Sequence, residues 1–160
     1  MVTLPQLLEE DVARFGEELR QLLTRTEASA AMIIDKGGFL ISSHGDSEGY
    51  DLTTLAALAA GAFMANQTIA GLVRETEFSS VYQQGAQTSL FVQTIDAHCL
   101  LVVIFPAQVS IGLVKYFAAP AVGAIAGQIQ AAQERAPGAG LDLSELNLAD
   151  TSELFRRKSA

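Results

Sequence analysis

The sequence predicts an α/β sandwich: one five-stranded antiparallel sheet with helices on both faces, in the order αββαβββα, followed by a C-terminal tail. Three observations carry this. Residues 6–26, 52–74 and 110–135 repeat apolar side chains at helical spacing, whereas 31–41 and 79–105 hold short apolar runs separated by turn residues. Asp35-Lys36-Gly37-Gly38 stands between two of those runs, the pattern of a β-hairpin. Residues 99–105 are apolar at every position, as a strand covered on both faces must be.

The first helix is expected over residues 6–26. Leu8, Val12, Phe15, Leu19 and Leu22 recur at spacings of four and three and form one apolar stripe. Glu9, Glu10, Arg14, Glu17, Glu18 and Arg20 take the other face, and Arg25 near the end complements the helix dipole. In the hairpin, Ala31-Met32-Ile33-Ile34 and Phe39-Leu40-Ile41 flank the turn, whose glycines supply positive φ. A loop over 44–50 leads to Asp51, an N-cap for the helix over 52–74. Small residues crowd that helix: Ala56, Ala57, Ala59, Ala60, Gly61 and Ala62 let another backbone approach closely. One such neighbour is the sheet; another is a symmetry-related copy of the same helix. This helix is expected on one face of the sheet, with the other two sharing the opposite face.

Residues 79–84 are short and half polar, the profile of an edge strand. Residues 89–95 form the next strand and 98–105 the central one, which Pro106 ends. The last long helix, 110–135, carries Ile111, Val114, Val122, Ile125 and Ile129 as its stripe. Pro120 inside it predicts a kink or a later start. Pro137-Gly138-Ala139-Gly140 breaks the chain, dividing it into a domain over 1–136 and a mobile tail over 137–160. In the tail, Asp150 is placed to cap a short helix through Ser152, Leu154 and Phe155.

Composition narrows the function. A length of 160 residues suits one domain with a full core, and 49% hydrophobic against 18% charged residues places the chain among globular proteins. The net charge of −8, with ten Lys and Arg scattered along the chain, argues against nucleic-acid binding, which needs clustered cations. One cysteine, Cys99, forms no intrachain disulfide or cysteine zinc cluster and fits a reducing compartment. Met1 to Pro5 run into charged residues, unlike a signal peptide. No apolar run approaches the roughly 20 residues that span a bilayer. A cytoplasmic protein is expected.

Catalysis needs a constellation, and none emerges. His44 and His98 are the two histidines, and Cys99, next to His98, points to the opposite side of its strand. His44, Asp46 and Glu48 read as a solvated turn rather than a cation site. The glycines of the hairpin join two strands and open no helix, so no macrodipole faces a phosphate. No catalytic, cofactor-binding or metal-binding residue is expected.

Several strings together resemble the Roadblock / dynein light-chain domain family, a profilin-like fold. Residues 32–43 (MIIDKGGFLISS) are similar to its first hairpin, and 51–61 (DLTTLAALAAG) to the start of its second helix. Glu77-Phe78, Gln84-Gly85-Ala86, Ser89-Leu90, residues 101–105 and residues 110–115 continue the likeness. Within the family, the likeness is to the bacterial MglB-type regulators of a Ras-like GTPase. The resemblance implies a homodimer joined through the edge strand and second helix, with Ala56, Phe63, Ser80, Val81 and Tyr82 at the seam. It implies that a bacterial, MglA-like small GTPase of cell polarity docks over the second helix, at Ala57, Ala60, Gly61, Met64 and Thr68. Met64 and Thr68 are bulkier than the small residues that line this side in those relatives. Leu154 and Phe155 would reach a further surface of the partner. The implied function is a regulator or scaffold that modulates GTP hydrolysis or nucleotide state with no catalytic residue of its own. The alternative is a dimerising adaptor for another polarity or signalling protein, without effect on hydrolysis.

Overall fold

Strand β5 (Cys99–Pro106) forms the centre of a five-stranded antiparallel sheet of order β2-β1-β5-β4-β3. This is a computed structural model, and it describes residues 4–46 and 48–135. The other strands are β1 (Ala30–Asp35), β2 (Leu40–Gly45), β3 (Ser80–Gln83) and β4 (Thr88–Thr94). The helices are α1 (Glu9–Thr26), α2 (Leu52–Leu72) and α3 (Ile111–Glu134), so the order of elements is the expected one.

Alternation along the strands builds two cores. Leu101, Val103 and Phe105 of β5 join Ala31 and Ile33 of β1 and Phe91 of β4 under α1 and α3. Leu100 and Val102 join Met32, Ile34 and Val92 under α2. Two helices therefore share one face and the alanine-rich helix takes the other. The strand expected at the centre lies there, flanked by β1 and β4, and the short half-polar strand lies at an edge. β2 runs to Gly45, so His44 is a strand residue rather than a loop residue. In the β1–β2 turn Gly38 carries the positive φ, 96°, and the Asp35 carboxylate accepts from the Phe39 N–H at 2.9 Å.

Three expectations need correction. Helix α1 begins at Glu9, and its buried stripe is Asp11, Phe15, Leu19, Leu22 and Thr26, with Val12 39% exposed. Asp11 is sealed in because both its oxygens accept hydrogen bonds. Oδ2 accepts from the Leu8 N–H at 2.7 Å, and Oδ1 accepts from Gln128 Nε2 at 2.6 Å and from Arg135. Burial works to raise the Asp11 pKa, but the hydrogen bonds from Arg135, Leu8 and Gln128 outweigh it and hold it below the ordinary value. Helix α3 starts at Ile111 and continues through Pro120, so of the two expected outcomes the later start is excluded. Pro120 and Tyr116 are exposed, so water can satisfy the Tyr116 carbonyl that loses its helical donor. Its buried side adds Ala118 and Ala121 to Val114, Ile125 and Ile129. Finally, Leu52–Leu72 is long and apolar enough to cross a membrane by length and composition, because its alanines, with Leu, Ile, Phe and Met between them, raise its hydropathy without a long aliphatic run. The boundary at 136 and the tail residues Leu154 and Phe155 lie outside the described residues.

Candidate functional site

Helix α2 is set in place at both ends. Asp51 caps it as expected: Oδ1 accepts from the Thr54 N–H at 3.1 Å and Oδ2 from the Thr54 hydroxyl at 2.6 Å. Those bonds lower the Asp51 pKa. Near the other end, the Gln67 side-chain amide pairs with the backbone of Phe78. Its Nε2 donates to the Phe78 carbonyl at 2.7 Å and its Oε1 accepts from the Phe78 N–H at 3.1 Å. Gln67 thus ties α2 to the segment that starts β3, a role the sequence did not announce because neither residue belongs to a local motif.

The side of α2 facing the sheet is Ala56, Ala59, Ala60, Phe63 and Ala70. Three of the expected contact residues lie on this side. Ala56 and Phe63 are sealed against the sheet rather than presented at a seam, and Ala60 is sealed rather than open to a partner. The small residues serve first to bring the helix axis close to the strands. The remaining contact candidates fall differently. Ala57, Gly61, Met64 and Thr68 are all exposed and recur at spacings of four, three and four, so they form one stripe. The stripe begins beside the hairpin, where a Cβ on Gly38 would come within 2.9 Å of Ala57 Cα.

The opposite flank looks toward β3. Ala62 and Asn66 line a trench with Val81, Gln83, Leu90 and Val92, and helical spacing places Leu58 and Ile69 on the same flank. A groove of about 360 Å³, lined by Tyr50, Leu55, Leu90 and Ile104 among others, shares Gln83 and Leu90 with the trench. Leu58 is 66% exposed and Leu72 80%, and residues 52–72 contain no charged side chain. A continuous uncharged surface with exposed aliphatic groups is the usual mark of a protein contact. The sequence pointed to the helix but not to Leu58, Ile69 or Leu72, since the orientation of so uniformly apolar a helix is decided only by the strands beneath it.

Among the described residues, strand β3 pairs with β4 alone, leaving one backbone edge open. Its side chains are largely committed inward. Val81 packs on the α2 side, and Tyr82 stacks on Phe105 on the other, with ring centroids 6.0 Å apart. Ser80 is half-buried and lies opposite Gln93. What β3 offers a neighbour is its main chain, with Ser80, Val81 and Tyr82 fixing its register.

The groups that could react are placed for structure. Cys99 is fully buried, and that burial, with Asp96 and Asp35 nearby, pushes its thiol up to about 12, far from the thiolate a nucleophile needs. The Asp96 carboxylate accepts from the backbone N–H groups of His98 and Cys99, both at 2.8 Å, and so shapes the β4–β5 turn. Among the described residues no group of three or more His, Cys, Asp or Glu is arranged to hold a metal ion.

An α/β sandwich of this helix and strand order is the Roadblock fold, and the chain belongs to the Roadblock/LC7 domain family, whose model matches residues 15–105. Among solved structures it is similar to MglB of Myxococcus xanthus, at 30% identity over 81% of this chain and 98% of that one, with a TM-score of 0.76. It is equally similar to the gliding protein MglB of Thermus thermophilus, at 30% identity over 81% and 98%, with a TM-score of 0.74. A further MglB, described with a tetrameric arrangement, is 30% identical over 82% and 99%, with a TM-score of 0.76. No match was found among curated proteins.

Proposed function

We propose that the chain is a homodimeric cytoplasmic regulator that binds an MglA-like Ras-type small GTPase and modulates its GTP hydrolysis or nucleotide state. The observation that carries this is the exposed, uncharged stripe Ala57, Gly61, Met64 and Thr68 on a helix whose other flank runs along the open edge of β3. Pairing two copies through β3 and the Leu58–Ala62–Ile69 flank would bring two such stripes side by side and build one surface from two chains. The family and the similarity to MglB support this reading. Such a regulator acts on groups the GTPase already carries, by positioning them, and needs no reacting side chain of its own.

Gly61 supports a close contact. A Cβ there would meet nothing within 4 Å, so the fold of one chain does not require glycine. Glycine in a helix interior still costs about 1 kcal/mol relative to alanine. A partner backbone seated at that point would use this open space, which the helical Gly16, Gly71, Gly123 and Gly127 also have.

The test mixes the chain with the GTP-loaded Ras-like GTPase of the same cell and follows phosphate release and complex formation. Acceleration that Met64→Arg abolishes, with the dimer intact by light scattering, is the expected result. No complex and no acceleration would overturn the proposal. A complex without acceleration would assign the adaptor role instead, which the projecting Met64, 51% exposed, favours.

A further inference from the structure

The carboxylate of Asp11 joins two parts of the molecule that are far apart in sequence. Asp11 is fully buried, yet it lies in the first turn of α1, where a carboxylate ordinarily faces water. One oxygen holds the backbone N–H of Leu8, the residue at the N-cap of α1, and the other holds Gln128 in the last turns of α3 and Arg135 at its C-cap. Just before Leu8, Leu4 and Leu7 pack against the core under α1 and α3. Arg135 caps α3 in an extended conformation, and among the described residues its guanidinium is the one cation paired with this buried anion.

From this geometry we infer that Asp11 and Arg135 form a latch that couples the seating of residues 4–8 to the docking of the last turns of α3. The physical reason is the shared carboxylate. A buried anion is tolerated only while its donors are in place, because an unpaired charge in the interior is strongly unfavourable. If Arg135 leaves, the carboxylate must turn to water or take up a proton. Either response weakens the bond to the Leu8 N–H, on which the entry to α1 depends. The reverse also holds, since opening the N-terminal segment removes one of the donors that keep Asp11 ionised inside. Two elements that touch a single group in this way move together rather than fray separately. A ligand or partner that draws Arg135 off would therefore uncover the core beneath Leu4 and Leu7 as well.

Residue-resolved amide hydrogen exchange on the full chain tests the coupling. In Arg135→Met, exchange at the Leu8 amide is expected to rise about tenfold or more, in step with the last turn of α3, while the middle of α1 keeps its protection. Arg20→Met, which breaks the exposed ion pair with Glu17, is the control and leaves Leu8 unchanged. Should Arg135→Met fail to fold, Gln128→Leu removes a neutral donor to the same oxygen and is expected to raise exchange at both ends together. With either variant, a last turn of α3 that loosens while Leu8 keeps its protection would overturn the latch.

Discussion

The two faces of the sheet are built on different plans. Under α1 and α3 the core is filled by large side chains, among them Phe15, Leu19, Leu22, Phe91, Phe105, Ile125 and Ile129, and an ionised carboxylate is buried with its donors. Under α2 the helix contributes three alanines and one phenylalanine to the cluster, and a trench remains open beside β3. Each fully buried large apolar side chain contributes about 1.5–3 kcal/mol, and an alanine much less. Stability is therefore concentrated on the two-helix face. The single helix is held with less buried area, which leaves its outer surface free to be shaped by a partner rather than by the core. Low charge on α2 is what that freedom looks like in sequence.

The largest expected effect would break this comparison if it failed. Phe105→Ala, in the two-helix core, should cost about 3–5 kcal/mol in urea unfolding at fixed protein concentration. Phe63→Ala borders the trench, where neighbours can relax and water is close, and should cost clearly less. Equal losses would mean that the α2 face is as tightly built as the other. Next in size is a contrast between two glycines. Gly38→Ala forces an L side chain to φ +96° and into the Ala57 backbone, and should cost about 1–3 kcal/mol. Gly61→Ala meets open space and should stabilise an isolated chain by up to about 1 kcal/mol. If Gly61→Ala also weakens the complex with a GTPase, the residue serves the partner at the expense of the fold.

The layers and the places of the central strand and one edge strand were legible in the sequence because alternation and helical spacing report directly on which side is buried. β5, apolar at every position, could only be central, and the half-polar β3 could only be an edge. Ala57, Gly61, Met64 and Thr68 were named from the family likeness, and they share one exposed stripe. The burial of Ala56, Ala60 and Phe63 was not legible, because a helix apolar all round has no preferred face until a sheet is placed under it. Asp11 escaped for a different reason. Its charge argues for solvent, and its burial is explained only by Gln128 and Arg135, more than a hundred residues away. Val12 looked like the core residue because it fits the spacing, yet the neighbouring carboxylate, once neutralised by its donors, takes the inward position.

The buried carboxylate makes a pH prediction on the two-helix face. In the folded state Asp11 has a lowered pKa, against about 3.9 for an unfolded aspartate. Its contribution is therefore present in full above the unfolded value and is lost as pH falls through the folded one. Acid titration of stability should show this loss at low pH, and Asp11→Asn should flatten it. In Arg135→Met, burial acts with its main opponent removed, so the folded pKa rises toward the unfolded value and the acid loss should shrink. An acid profile that neither substitution moves would show that the pair is not what keeps Asp11 ionised.

The smallest change in fold stability should come with a large change in assembly. Leu58 is 66% exposed on α2, so Leu58→Asp should alter the unfolding free energy by no more than about 0.5 kcal/mol once the chain is monomeric. If the flank of α2 beside β3 joins two copies, the same substitution places a charge in an apolar contact on both sides of a twofold axis. The mass measured by light scattering should then fall to that of one chain. Tyr116→Asp on α3 supplies the matched control, since Tyr116 is 73% exposed but belongs to the face that carries the large core. It should leave both mass and stability unchanged. A mass that responds to Tyr116→Asp and not to Leu58→Asp would transfer the assembly surface to α3 and reverse the division of labour between the two faces.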